Sequence, residues 1–356
     1  MNVQDAVHLR KVHETAFVLS CPVLVTDRKT IIASDPNSIF STEFKHSNHD
    51  MPIELKPVTL NELPLLQEQL PKLQNGDCNL SIASVIGRAK EYNIKWGISQ
   101  GELVLNWAPY PDIPPAYVIP LRSENALAII EDIASECQCC KEPVILFGRF
   151  TFMTERISEL MRYRNFITVS SNSWWDYVYE RDKIENLEGR ELHGKRNFNK
   201  RFYKAYPNAQ FVSFTPELIE KARVFLKNWY ANYGEMTKSL EAERDAIELA
   251  FDHFEEFRLI GGALMDGDNM YGFTYGSDVG ENIFSVHIEK ADRTVTGAYP
   301  ALASALCKTL PERFTQINRE EDLGIPGLRK AKEDWAPSTM IRKTLLKLQR
   351  AIPEPI

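Results

Sequence analysis

Three apolar-alternating runs, residues 258–265, 270–276 and 283–290, follow one another with little between them but turns. The first is joined to the second through Asp266-Gly-Asp-Asn269. An Asp-Gly pair between alternating runs signals a hairpin, because its residues tolerate the positive φ of the turn that matches strand twist. Alternation with a period of two sends successive side chains to opposite faces. The runs therefore predict three consecutive antiparallel strands with one buried face. A helix is expected next, from Gly297 to about residue 308. A chain built round such a unit is committed to a mixed α/β layer rather than to a bundle or a sandwich.

The third run carries the chemistry. Phe284, Val286 and Ile288 are expected on one face, and Ser285, His287 and Glu289 on the other. An amine must be neutral to attack an acyl carbon, and a carboxylate or imidazole can take its proton. Glu289 and His287 are therefore candidate bases, with Tyr299 on the following helix as a candidate for positioning substrate. The alternative is a partly exposed strand face with a Glu–His–Ser ladder.

A second charged stretch begins where the run 314–318 ends. Asn318-Arg-Glu-Glu-Asp322 is followed by Gly324 at a turn, Pro326 at a helix start, and Arg329, Lys330 and Lys332. Such a loop is costly to order unless its charges meet partners or a ligand. Asn318, Arg319, Glu320 and Asp322 are the candidate substrate contacts, with Arg319 and Glu320 nearest the chemistry. Asp322 and Arg329 are also expected to brace the loop, and Glu321 has the same option.

A basic helix is expected over about 189–205. Phe198, Phe202 and Tyr206 form one stripe, and Arg196, Lys200 and Lys204 lie nearly opposite. Lys195 and Arg201 broaden the cationic side, which is either solvated or placed to receive phosphates of a coenzyme or of tRNA.

The preceding half reads as mixed α/β with antiparallel hairpins. It has a capping box at Thr59-Leu-Asn-Glu62, strand pairs at 95–98 and 102–106, helices from 124 and over 154–162, and strands at 144–148 and 166–169. Trp96, Trp107 and Tyr110 have two uses open to them, lining a pocket or, the more ordinary one, packing in the core. No constellation of reactive residues is expected there. Cys137 and Cys140 are spaced C-x-x-C without a second pair at zinc spacing, so no metal is expected. Residues 1–50 are largely turn-rich and polar, and two readings are open: Met51 is the natural start, or residues 1–50 form a loosely held N-terminal extension. The resulting division is 1–50, 51–170 and 171–356, the last carrying the active site.

A net charge of -7 argues against a non-specific coat for nucleic acid, but leaves room for a local basic groove. No apolar run approaches the roughly 18–20 residues needed to cross a bilayer, and no leader pattern opens the chain. A cytoplasmic protein without an integral membrane segment is expected, one that would reach any lipid peripherally.

The run Asn-Arg-Glu-Glu-Asp-Leu-Gly followed by Leu-Arg-Lys-Ala-Lys, together with His193-Gly-Lys-Arg-Asn197 and Arg201-Phe202, resembles a bacterial family similar to the C-terminal domain of phosphatidylglycerol lysyltransferase. The resemblance runs from about 52 to about 347. It implies two tandem GNAT-like domains of α+β type, each a mixed, largely antiparallel sheet flanked by helices. It also implies transfer of an activated acyl group from acyl-CoA or aminoacyl-tRNA to an amine or hydroxyl, on a small-molecule or lipid acceptor. The donor phosphates would lie near Gly297 and Ala298, with Lys195 and Arg196. The acetyltransferase pattern is not intact there. Arg293 precedes Gly297 by four positions rather than three and a single Gly remains, which fits aminoacyl-tRNA-using relatives better than coenzyme A. A second reading, a non-catalytic module binding tRNA or a small metabolite, stands beside this one.

Overall fold

The computed structural model describes residues 53–108, 115–140, 144–152, 166–232 and 236–348. The expected extension 1–50, Tyr110 and the expected helix 154–162 lie outside them. Among these residues the strands form two mixed seven-stranded sheets flanked by helices.

The first sheet contains β1 (Lys56–Pro57), β2 (Lys95–Ser99), β3 (Glu102–Trp107), β4 (Ala116–Val118), β5 (Ile145–Gly148) and β6 (Phe166–Val169). The second contains β7 (Asp176–Glu180), β8 (Gln210–Ser213), β9 (Ile260–Asp266), β10 (Asn269–Asp278), β11 (Ile283–Ala291), β12 (Gln316–Asn318) and β13 (Thr339–Ile341). The helices are α1 (Leu63–Leu73), α2 (Ile82–Gly87), α3 (Ala126–Cys140), α4 (Arg181–Asn186), α5 (His193–Ala205), α6 (Pro216–Ala231), α7 (Lys238–Asp252), α8 (Ala298–Thr309) and α9 (Pro326–Glu333).

Local chemistry explains several boundaries. Thr59 and Glu62 form the expected capping box, with Thr59 N–H donating to Glu62 Oε2 at 2.7 Å, ahead of α1. The β9–β10 hairpin turns at Gly267, with φ +58. One apolar cluster joins the halves. Leu66, Leu103 and Phe147 from the first share it with Leu226, Ile247, Phe251 and Phe273 from the second.

The segment 339–348 forms two strands in two sheets. β13 pairs with β7, and β14 (Thr344–Leu348) inserts between β5 and β6 of the first sheet. Arg342 and Lys343 make the crossing, and Lys343 is wholly buried there. Arg342-Lys343-Thr344 interrupts the apolar residues of β13 and β14 with three consecutive polar ones, the local mark of the switch of sheet.

Two features of the second sheet shape the site. β11 and β12 run parallel and pair only as far as Ser285 and Asn318, after which β11 continues to Ala291 while the other chain departs. Ligands in open α/β sheets favour such crevices beyond strand ends. The simple alternation expected along β11 is also broken. Val286 pairs with Gly276 and Ile288 with Tyr275, leaving His287 as the extra residue of a bulge, which re-aims nearby side chains. Gly276 is needed there, because a Cβ would fall 1.9 Å from the Ser285 carbonyl oxygen.

Candidate functional site

The crevice holds a cavity of ≈ 520 Å³. β11 lines it with Val286 through Lys290, and the loop after β12 supplies Arg319 and Glu320. Lys195 comes from α5, Glu243 from α7 and Tyr299 from α8. Leu328, Ala331, Lys332 and Trp335 close the side formed by α9 and the residues just after it.

Glu320 is the best-placed carboxylate. Its Oε1 lies 3.0 Å from His287 Nδ1, and His287 Nε2 lies 2.8 Å from Ser277 Oγ. Both imidazole nitrogens are therefore engaged, and the His287 side chain is only 8% exposed, against 31% for Glu320. Glu320 sits at φ +64, a backbone conformation that non-glycine residues rarely hold and that gathers at functional sites. Its amide is fixed by Asn318 Oδ1 at 2.7 Å.

Glu289 accepts from Arg319 Nη2 at 2.8 Å. The Arg319 guanidinium lies 4.6 Å from the centroid of the Trp335 ring, and its Nη1 is buried with no hydrogen-bond partner among the described residues. Lys195 Nζ stands 5.0 Å from the same ring. Lys332 donates to the Arg319 carbonyl. Burial pulls both lysine ammoniums below their usual range, and the Arg319 charge pushes the same way. Three cations thus crowd one side of the cavity. On another side Glu243 Oε1 accepts from Lys290 at 2.6 Å and from Tyr230 at 2.7 Å, and burial lowers the Lys290 pKa. Burial raises the pKa of Tyr299.

The other expected residues lie elsewhere. Asn318 is fully buried, and its Nδ2 donates to the Gly76 carbonyl and to Asp176, each at 2.8 Å. Asp322 is also enclosed. It accepts from Tyr177 at 2.7 Å, from Arg329 Nε at 2.6 Å and from the Gly324 amide at 2.8 Å, so it braces the loop with Arg329. Arg196 donates to the carbonyls of Leu187 and Gly189. Ala298 is buried. Gly297, at φ +86, faces α5, and a Cβ on it would fall 2.1 Å from the Phe198 carbonyl oxygen. Of the residues expected at the site, the cavity gathers Glu289, His287, Tyr299, Arg319, Glu320 and Lys195.

The first half contributes more than expected. Cys78, Asn79, Ser84, Arg88 and Tyr92 line a side chamber of ≈ 70 Å³ that shares Glu243, His287, Ile288 and Glu320 with the main cavity. Behind it lies a buried charged node. Lys343 Nζ is 2.6 Å from Asp176, 3.1 Å from Asp77 and 3.4 Å from both Glu321 and Cys78 Sγ. Asp77, Cys78 and Asp176 bring donor atoms within 4.8 Å of one another, close enough for a metal ion, and the Lys343 ammonium is in contact with all three. Burial, with Asp77 and Glu321 beside it, pushes Asp176 up to about 7. Burial also disfavours the Glu321 carboxylate, but Lys343 outweighs it and holds that group down at about 2. Burial and the same carboxylates raise the Cys78 thiol. These residues come from four distant segments, so no spacing could have announced them. Lys290 and Trp335 stand within or next to the segments singled out from sequence, and only their packing distinguishes them.

The profile of the family described as phosphatidylglycerol lysyltransferase, C-terminal, matches residues 72–347. A conserved protein of unknown function from Bacteroides thetaiotaomicron VPI-5482 superposes with a TM-score of 0.74 at 28% identity, covering 83% of this chain and all of that one. The structure of L-PGS from Bacillus licheniformis superposes with a TM-score of 0.55 at 13% identity, covering 85% and 96%, a likeness of fold. An uncharacterised protein of Mycoplasmoides gallisepticum (strain R(low / passage 15 / clone 2)) is 24% identical over 183 residues, 51% of this chain. The match spans 59% of that relative's length.

Proposed function

We propose that this chain, which belongs to the phosphatidylglycerol lysyltransferase C-terminal family, moves an aminoacyl group from aminoacyl-tRNA to an amine or hydroxyl on a small-molecule or lipid acceptor. The observation that carries the reading is the Glu320 carboxylate, held from behind by His287 and Ser277 and facing a cavity with Arg319, Lys195 and Lys332 on its wall.

In this reading Glu320 takes the proton of the acceptor amine or hydroxyl as it attacks the aminoacyl ester carbon. The new bond to carbon forms, the ester C–O bond breaks, and the proton passes to the departing ribose oxygen. His287 acts as a positioning residue rather than the base, because both its nitrogens are occupied. Arg319, anchored by Glu289 and with Nη1 unpartnered, is the donor for negative charge developing on the carbonyl oxygen. Lys195 and Lys332 suit the donor's phosphate. The filled space beside Gly297 supports a donor other than coenzyme A, since the Phe198 carbonyl stands where a pyrophosphate would approach that Cα. Among the described residues no helix is long and apolar enough to cross a membrane, so a lipid acceptor would be met from one side.

The test supplies the full chain with tRNA charged with single radiolabelled amino acids, together with soluble amines or phosphatidylglycerol vesicles. Protein-dependent movement of label to an acceptor, abolished by Glu320→Gln, is expected. Well-folded protein that binds charged tRNA and moves no label to any acceptor would instead make it a binding module.

A further inference from the structure

The side chamber opens off the main cavity at Glu243, His287, Ile288 and Glu320, which line both. Its volume is ≈ 70 Å³, against ≈ 520 Å³ for the cavity. A water takes about 30 Å³ of the liquid, and a cavity of about 150 Å³ holds a benzene. The chamber thus has room for a side chain of about two or three heavy atoms, and none for an aromatic ring or a long chain. Ala246 and Ile247 give it an apolar wall, and Asn79, Ser84, Arg88 and Tyr92 a polar one. Arg88 is paired with Glu91 at 2.7 Å and Glu321 with Lys343 at 3.4 Å, so both charges are already met. The Tyr92 hydroxyl and Asn79 Oδ1 have no hydrogen-bond partner among the described residues. Glu243 accepts from Lys290 and from Tyr230 through Oε1, which leaves Oε2 unengaged among the same residues.

We propose that the chamber sets which aminoacyl group is used: it admits a short, uncharged side chain, seryl best of all, while Glu243 Oε2 receives the α-ammonium. This rests on the aminoacyl-tRNA reading and names the class of amino acid, in contrast to the lysyl group of the family's description. With Glu320 beside the reacting carbon and Arg319 at its oxygen, the donor's ribose and phosphate face Lys195 and Lys332. The substituents of the α-carbon then turn toward the residues shared by the two spaces. A lysyl or arginyl chain is too long for the chamber, and in the main cavity its charge meets Arg319, Lys195 and Lys332. An aspartyl or glutamyl carboxylate in the chamber meets Glu320 and Glu321. A seryl hydroxyl accepts from Tyr92 and donates to Asn79 Oδ1, which an alanyl methyl does not.

The test uses the full chain and 3′-aminoacylamino-3′-deoxyadenosines, amide-linked mimics of the donor terminus. They carry glycyl, alanyl, seryl, aspartyl, lysyl or phenylalanyl groups, and binding is read by calorimetry. The seryl compound is expected to bind at least about tenfold more tightly than the lysyl, aspartyl and phenylalanyl ones. Tyr92→Phe should remove about a fivefold preference for seryl over alanyl and leave alanyl binding unchanged. Ala246→Leu, which fills the chamber, should weaken the seryl compound about tenfold and the glycyl one less than about threefold. Tyr92→Phe breaks no hydrogen bond among the described residues, so it carries the test where Ala246→Leu does not fold. Glu243→Gln should weaken the seryl compound about tenfold and spare its desamino counterpart. Lysyl binding as tight as seryl would overturn the proposal. So would a seryl preference unmoved by Tyr92→Phe, or binding of none of the compounds. The amides transfer nothing, so the two claims fail separately. Seryl-selective binding with no transfer from any charged tRNA refutes only the transferase reading. Transfer of lysine in preference to serine refutes only this selectivity.

Discussion

Glu320 and Glu321 are adjacent in sequence and end in opposite surroundings. Glu320 points into the cavity, about a third exposed, with His287 behind it. Glu321 turns inward to Lys343 and Cys78, among Asp77 and Asp176. The same split runs through the whole loop. Arg319 and Glu320 line the cavity, whereas Asn318 and Asp322 are enclosed and hydrogen-bonded. The difference teaches that charge density alone does not mark function. In the node each charge is balanced or protonated within the protein, so it holds four chain segments together. In the cavity, room is left beside the charges for a substrate to balance them.

The largest effect should come from removing the cation of the node. Lys343→Met leaves Asp77, Asp176 and Glu321 without their buried partner and should cost about 3–5 kcal/mol in urea unfolding. A cost below about 1 kcal/mol would erase the distinction between the two regions.

The node should also give the fold a pH dependence. Asp176 keeps its proton up to about 7 in the folded chain, against about 3.9 in an unfolded one. Between those values the folded chain binds more protons, so stability is highest at the acid end and is lost as pH rises toward 7, by a few kcal/mol at most. Glu321, held at about 2, works the other way and costs stability only as pH falls below about 4.5. Asp176→Asn should flatten the decline between about pH 4 and 7 in denaturant titrations. A parent chain with flat or rising stability there would break this account of the node.

Asp322→Ala strands Tyr177, Arg329 and the Gly324 amide, and should cost about 2–3 kcal/mol in the same unfolding measurement. It sharpens the comparison by separating bracing from substrate contact. If Asp322 touched substrate instead, transfer would fall with little change in unfolding. The smallest effect is expected at Ser277, which is buried and reaches the cavity only through His287. Ser277→Ala should cost about 1 kcal/mol of stability, with a loss of transfer smaller than that of Glu320→Gln.

Much of the second sheet was legible because strand alternation and the Asp-Gly turn are local signals. The hairpin, β11 and α8 emerged close to their expected bounds. That Arg319 and Glu320 lie in a charged loop needing partners was legible, and both line the cavity. The partners themselves were not. Lys343 reaches Asp77 and Asp176 only because the chain crosses between sheets at that residue, and neither residue is special in its own segment. His287 read as a base because a strand pattern shows which face a side chain takes, not whether both its nitrogens are already bonded. The first half read as chemically bland for a similar reason. Arg88 and Tyr92 reach the side chamber through packing of α2 against α7, where Gly87 lets the helices approach to Ala246.

The most direct measurement is transfer rate and melting temperature side by side for Glu320→Gln and Glu321→Gln. The account predicts that Glu320→Gln lowers the rate by about 10²–10⁴ and leaves the melting temperature unchanged. It predicts that Glu321→Gln lowers the melting temperature and leaves the rate per folded molecule within a few-fold. Rapid transfer by Glu320→Gln, or loss of transfer confined to Glu321→Gln, would contradict it.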